Sequence, residues 1–345
     1  MTPGDNSLRV LFVAPASPSG PQMPFVRREA QALRAAGHVV EIFGFDNASY
    51  LPWRFAAQVL KLRAALRRFG PDVVHAQFGK FNALAAALAA GRVPLVITFR
   101  GTDINHNSRY STLRSALGVA ASQLAAFAAR AVVCVSREIA SKLWVRNSTV
   151  IPTGVDTRVF APCDRAAARR RLGFGERERI VLFNAGRNPA VKDPELAAAA
   201  VGEARGYVSE LRFVVLEGDV APDDIPLYMN AADVLLVTSK TEGSPTVVQE
   251  AMACNLPVVS VDVGDVGERL AGVAHCAVLE RDPVVLGAAL ARVLRAPRRS
   301  DGRVHAAALS VEAIAARLAQ VYKGVLGEGM ASGRRNAPIG ALPPD

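Results

Sequence analysis

From Leu8 to Arg295 short apolar runs of strand length alternate with longer helical stretches, and the alternation lapses only once, across Phe160 to Arg179. Runs such as Leu8 to Pro15, Val39 to Phe45, Pro71 to Gln77, Val93 to Phe99 and Ala131 to Val135 are close to continuous in apolar residues. Strands covered by helices on both faces read this way. Successive strand, helix and strand units wind right-handed, so the pattern predicts doubly wound parallel sheets. The lapse is charged and contains proline, which sets a domain boundary and gives an α/β domain over 1–160 and a second over 161–310. Residues 311–326 are expected to form a C-terminal helix that can cross back to the first domain. Residues 327–345, rich in Gly, Pro and Arg, are expected to be disordered. The chain's 345 residues are enough for two cores.

Open α/β sheets bind ligands at the carboxyl ends of their strands, so polar clusters just after strands are the candidate sites. The strongest follows the run Ala232 to Thr238 and extends from Ser239 to Met252. Ser244 is a candidate N-cap and Pro245 suits the first helical position, which leaves the amides of Thr246 and Val247 free to hold phosphate. Glu250 then lies about 7 Å along the helix axis, while Glu242 stands before the helix. A diphosphate on the amides would have one carboxylate toward a ribose and the other toward the group beyond the second phosphate. In isolation, a capped surface helix with two solvated glutamates would look the same.

Other post-strand loops add candidates. Gly20 lies in a Pro- and Ser-rich loop where backbone could approach a phosphate, although simple turn chemistry also explains it. Gly186, Arg187 and Lys192 follow the strand Ile180 to Asn184. Arg100, Asp103 and His106 follow the strand ending at Phe99. His75 is either a cleft residue or a satisfied core histidine.

Several classes are disfavoured. No GxGxxG speaks for a nicotinamide cofactor. The cysteines Cys134, Cys163, Cys254 and Cys276 form no CxxC pair, so neither a zinc site nor a disulfide framework is indicated. No stretch has the apolar length of a membrane span, and the N-terminus lacks a secretory pattern, which points to the cytoplasm. The net charge of +10 is uneven: residues 1–160 hold 19 Lys and Arg against 8 Asp and Glu, and the remainder 22 against 23. The basic half implies an anionic partner, either a membrane surface, an acidic glycan or a lipid phosphate. Nucleic acid is disfavoured because no reading motif is present. The helix Trp53 to Phe69, with Arg54, Lys61, Arg63, Arg67 and Arg68, suits anionic lipid, although a crossover helix with a solvated basic face reads alike.

Taken together, certain segments resemble the retaining glycosyltransferases of family 4, whose GT-B fold sets two Rossmann-like domains face to face across a cleft. The segments are Asp72-Val73-Val74-His75, Thr98-Phe99-Arg100-Gly101-Thr102-Asp103, Val150 to Asp156 followed by Phe160, Gly186-Arg187 with Lys192, and Glu242 with seven residues between it and Glu250. The resemblance covers nearly the whole chain to about residue 325 and implies transfer of a sugar from a nucleotide diphosphate, UDP or GDP, to a glycan or lipid-linked acceptor. It implies that Arg187 and Lys192 neutralise the leaving diphosphate and that Gly243, Ser244, Thr246 and Val247 line the donor site. Glu250 would accept ribose hydroxyls, Glu242 would hold hydroxyls of the donor sugar, and Gly20 would meet the phosphates from the first domain. No cofactor is implied. The lack of any D-x-D leads to the expectation of no metal.

Two departures stand out. Arg100 occupies a place where many family members have His, and it is expected either to bind an acidic group on donor or acceptor or to be structural or contact phosphate. Pro245 replaces a common Gly and removes one amide donor. The competing readings are a sugar-nucleotide epimerase, disfavoured by the few acids and histidines available for proton abstraction, and a non-catalytic nucleotide-sugar-binding subunit.

Overall fold

The computed structural model describes residues 7–17, 20–21, 23–46, 51–105, 112–186 and 188–333. Its strands are β1 (Arg9–Ser17), β2 (Gly20–Pro21), β3 (Val39–Asp46), β4 (Val73–Ala76), β5 (Leu95–Phe99), β6 (Ala131–Cys134), β7 (Ser148–Val150), β8 (Arg179–Asn184), β9 (Leu211–Leu216), β10 (Val234–Val237), β11 (Val258–Val261) and β12 (Ala277–Leu279). In the first sheet β1 pairs in parallel with β3 on one side and β4 on the other, and β5, β6 and β7 continue from β4. The two residues of β2 fold back antiparallel on the end of β1, placing Gly20 opposite Ser17. The second sheet has five parallel strands in the order β12-β11-β10-β8-β9.

Both sheets are buried on both faces, as their apolar runs require. In the first, Leu11, Val13, Val74, Ile97 and Phe99 face one core with the helices Pro52–Phe69 and Lys80–Ala90. Val10, Phe12, Val73, Val96 and Val133 face the other core, with the helix Pro24–Ala35. That second core also receives Ile314, Leu318, Tyr322 and Val325 from the last helix, Val311–Gly333, whose apolar residues recur at helical spacing. The last helix therefore packs on the first domain although it follows the second in sequence. It runs past residue 326, so the first part of the stretch expected to be disordered is helical. Gly327 and Gly329 weaken a helix by about 1 kcal/mol each relative to Ala but do not stop one.

The chain crosses between the sheets twice, and the crossings touch. Val155 pairs in parallel with Ser310, its amide donating to Leu309 O at 2.9 Å while the Val311 amide donates to Val155 O at 3.0 Å. Gly154 is needed here because a Cβ would stand 3.0 Å from Val311 Cα.

Tertiary contacts also shape the connection that the sequence left as an interruption. It contains the helix Arg165–Leu172, capped by Asp164 and ended by Gly173 at φ 68°. Arg169, fully buried, donates to Asp233 Oδ2 at 2.9 Å and to the carbonyls of Ala231, Gly175, Glu176 and Glu178. Asp233 also pairs with Arg165 and accepts from the Ile180 amide at 2.7 Å. This buried ion pair staples the connection to the leading ends of β8 and β10. Removing one partner strands a charge in low dielectric. Asp233→Ala is thus expected to lower stability by about 3–5 kcal/mol, read as a fall in the urea midpoint by circular dichroism. A midpoint equal to the parent's would overturn this account.

Candidate functional site

The carboxyl ends of the two sheets face one another, and the loops leaving them build the site. On the second sheet, the loop after β8 turns at Gly186 (φ 54°), whose amide is tied to Leu216 O at 3.1 Å. The short helix Pro189–Lys192 follows, closed by Asp193 in a left-handed conformation (φ 58°). Two residues beyond the expected set hold this loop against the end of β10. Thr238 Oγ1 donates to Lys192 O at 2.8 Å and Asp193 O at 2.9 Å. Arg281 donates to the carbonyls of Thr238 and Ser239 and pairs with Asp193 Oδ2 at 2.5 Å. The clamp delivers Lys192 Nζ to 2.5 Å from Glu242 Oε1. A cation and a carboxylate fifty positions apart thereby neutralise each other at the cleft.

The helix after β10 spans Thr246–Ala253, with Pro245 at its N-cap. Ser244 is therefore not the cap. Its hydroxyl donates to Asp265 Oδ2 at 2.9 Å and accepts from Gln249 Nε2 at 3.0 Å, because a charged acceptor draws it more strongly than the helix amides do. The Thr246 and Val247 amides remain the leading N–H groups of the helix, where its dipole favours an anion. Glu250, further along, is largely enclosed. Burial outweighs the attraction of Arg28 and Lys192 and pushes its carboxyl up to about 7.

The first domain meets this surface with backbone. A Cβ on Gly243 would overlap the carbonyl oxygen of Arg100, and one on Gly101 (φ 131°) would stand 3.2 Å from the Gly243 amide. Behind them Gly264 (φ 62°), after β11, leaves no room either, since a Cβ would be 2.8 Å from Gly243 O. Three glycines from three loops thus let the domains touch main chain to main chain.

Several expectations are corrected. Of the two readings of Arg100, its contacts fit the structural one, with Glu29 as its acidic partner. Its NH2 donates to both Glu29 oxygens at 3.0 Å and to Gln77 Oε1, Nε donates to Gln77 O at 3.1 Å, and NH1 donates to Thr153 Oγ1 at 3.1 Å, with the guanidinium stacked 4.2 Å from the Phe25 ring centroid. Asp103 is not a cleft group. Fully buried, it accepts from the amides of Gly79, Arg100 and Gly101, and although those bonds oppose the effect, burial raises its carboxyl above the usual range. His75, by contrast, takes the core-histidine reading that the sequence offered, 2.7 Å from both Tyr322 Oη and Thr98 Oγ1. Burial, and next Arg100, pull its imidazole down to about 3, so the ring is neutral and linked to the last helix. Gly20 stands at the carboxyl end of β1. Arg187 and His106 lie outside the described residues.

The structure thus brings together Lys192, Glu242, Gly243, Glu250 and the Thr246 and Val247 amides. Arg28, Glu29, Asp193, Asp265 and Arg281 were missed from sequence. Arg28, Glu29, Asp193 and Arg281 gain their meaning from partners 71 to 222 residues away, whereas Asp265 joins a local i,i+4 pair with Arg269 to a contact with Ser244 21 residues before it. Among the described residues, no group of three or more His, Cys, Asp or Glu side chains is arranged to hold a metal ion.

Residues 24–159 match the family model described as Glycosyltransferase Family 4, and residues 166–296 match that described as Glycosyl transferases group 1. The chain is 29% identical over 262 residues to a putative teichuronic acid biosynthesis glycosyltransferase of Bacillus subtilis, covering 69% of this chain and 65% of that protein. It is 33% identical over 234 residues to a D-inositol 3-phosphate glycosyltransferase of Thermobispora bispora, covering 56% and 53%. The alignments thus span between about half and two thirds of these relatives' lengths. Sucrose-phosphate synthase from Thermosynechococcus elongatus superimposes with a TM-score of 0.76 at 20% identity, over 93% of this chain and 100% of that one. The Anabaena protein HepE, solved in complex with UDP-glucose, gives 0.64 at 18%, over 94% and 100%. Those likenesses establish the GT-B arrangement.

If the glycine contact sets the approach of the domains, Gly243→Val forces them apart. The variant is expected to show a larger radius of gyration in small-angle scattering. A profile superimposable on the parent's would show that the contact does not govern closure.

Proposed function

The chain belongs to glycosyltransferase family 4, and on that premise we propose that it transfers a sugar, with retention of anomeric configuration, from a UDP- or GDP-sugar to a glycan or lipid-linked acceptor. The observation that carries this is the Lys192–Glu242 pair beside the start of the helix Thr246–Ala253, at the carboxyl ends of a parallel sheet facing a second sheet. The amides of Thr246 and Val247 receive the diphosphate. Lys192 leaves Glu242 for the phosphates, joined by Arg187, and the two cations stabilise the charge that builds on the leaving group. Glu242, released, accepts hydroxyls of the donor sugar, and Glu250 accepts those of the ribose. Gly20 approaches the phosphates from the first domain.

With no enzymatic nucleophile assigned, the acceptor attacks an oxocarbenium-like sugar from the face the diphosphate is leaving, and the departing phosphate takes the acceptor's proton. Because two side-chain cations take the part a divalent ion would otherwise play, we infer that no metal is required. HepE's complex supports a nucleotide-diphosphate sugar as donor, and the teichuronic acid relative supports a role in cell-surface polysaccharide assembly.

An anionic acceptor and contact with the inner face of the cytoplasmic membrane fit the basic first domain. No described helix is long and apolar enough to cross a membrane. The helix Pro52–Phe69 exposes Trp53 (66%) and Leu60 (59%) on the element that carries Lys61, Arg67 and Arg68. Such a surface suits anionic headgroups.

Lys192→Ala is expected to slow nucleoside diphosphate release from a UDP- or GDP-sugar by about 10²–10³-fold in the presence of acceptor, while EDTA leaves the parent rate unchanged. Full activity in the variant, or loss of activity in EDTA, contradicts the respective half of the mechanism. The parent protein is also expected to sediment with phosphatidylglycerol vesicles at low ionic strength and to dissociate in 1 M salt, where the Debye length is about 3 Å. Failure to bind at low salt removes the membrane contact.

A further inference from the structure

Two neighbouring residues of the helix Pro24–Ala35 point to different tasks. Glu29 turns into the first domain to meet Arg100, whereas Arg28 reaches across the cleft. Its NH1 lies 3.8 Å from Glu250 Oε1 in the second domain, and its guanidinium sits 5.9 Å from the ring centroid of Phe160, which closes the first domain's sequence but packs in the core of the second sheet. The charged and titratable groups facing Glu250 come from three elements. From the loop after β8 comes Lys192, whose ammonium is held by Glu242. From the C-cap of Glu250's own helix comes Cys254, whose thiol burial pushes up to about 12, so that it stays neutral. From the first domain comes Arg28. A carboxyl this enclosed takes up a proton easily, and once protonated it loses the charge-assisted acceptance of hydrogen bonds that hydroxyl recognition uses.

We propose that Arg28 is a positioning residue that completes the donor site from the opposite domain: its guanidinium holds the Glu250 carboxylate charged and aimed at the ribose hydroxyls. The inference rests on the assignment of Glu250 to the ribose. It makes nucleotide recognition depend on closure of the cleft, since the cation belongs to one domain and the carboxylate to the other. Glu250 stands near half protonation at pH 7 even with Arg28 in place. Losing an opposite charge at this range raises a carboxyl by about one pH unit, which cuts the ionised fraction at pH 7 from about one half to about one tenth. At pH 9 the group is ionised in either protein, so the effect of Arg28 must fade as pH rises.

The test is calorimetric titration of UDP and of GDP into the parent protein, Arg28→Ala, Arg28→Lys, Glu250→Gln and the Arg28→Ala/Glu250→Gln double variant, at pH 7 and pH 9. Arg28→Ala is expected to bind the preferred nucleotide about fivefold more weakly at pH 7 and less than about twofold more weakly at pH 9. Arg28→Lys, which keeps the charge, restores most of the affinity. In turnover the loss falls on KM for the donor rather than on kcat. Placed on Glu250→Gln, Arg28→Ala has no further effect.

A loss equal at both pH values, or one that persists on Glu250→Gln, makes Arg28 a strut between domains and overturns the proposal. Should Glu250→Gln itself bind as the parent does, the ribose assignment fails and the proposal falls with it. Weak binding by Glu250→Gln with unaltered binding by Arg28→Ala refutes the proposal alone.

Discussion

The cleft depends on one steric fact: the main chain at Gly243 lies against the carbonyl of Arg100, with Gly101 and Gly264 close by, and no side chain fits between. Each loop leaves the carboxyl end of a buried parallel strand, so its position is set by a sheet rather than by its own residues. A β-carbon at the contact would push the domains apart and carry Arg28 away from Glu250. The adjoining crossings at Val155 and Ser310 add a second point at which the domains are held together. Together these two points set how the sheets approach one another in this structure, with loops from both domains lining the cleft between them.

Charge at the cleft is compensated internally. Lys192 is held by Glu242, Arg28 by Glu250 and Arg100 by Glu29. The pairs differ in depth, and depth decides their role. Arg100 and Glu29 are buried beneath the loop, where separating them would strand two charges, so they act as a fixed part of the scaffold. Lys192 and Glu242 keep contact with solvent, so either partner can be exchanged for a phosphate or a hydroxyl at modest cost. Under the proposed donor role, this pair opens when the ligand supplies replacement partners.

The last helix ties this arrangement to the rest of the first domain. Tyr322 meets His75, His75 meets Thr98 and Gln77, and Gln77 meets Arg100. The polar chain runs from the helix Val311–Gly333 through the ends of β4 and β5 to the loop that touches Gly243. Burial keeps the His75 imidazole neutral, and the chain braces the last helix against that loop.

By itself, the amino-acid sequence determined the two doubly wound sheets, the lapse between them and the loops where a ligand would be met. Strand and helix periodicity are local properties, and a parallel sheet admits few places for polar residues, so Lys192, Glu242 and Glu250 were legible where they stand. Tertiary structure alone decided which of these groups meet. Ser244 lost its capping role to Asp265, and Asp103 and His75 went to the core, because each found a partner supplied by a distant strand or helix. Arg28, Arg281 and Glu29 carry no local mark. A hydrogen bond or ion pair is defined by distance in space, and only the closing of two domains on one another brings those distances within reach.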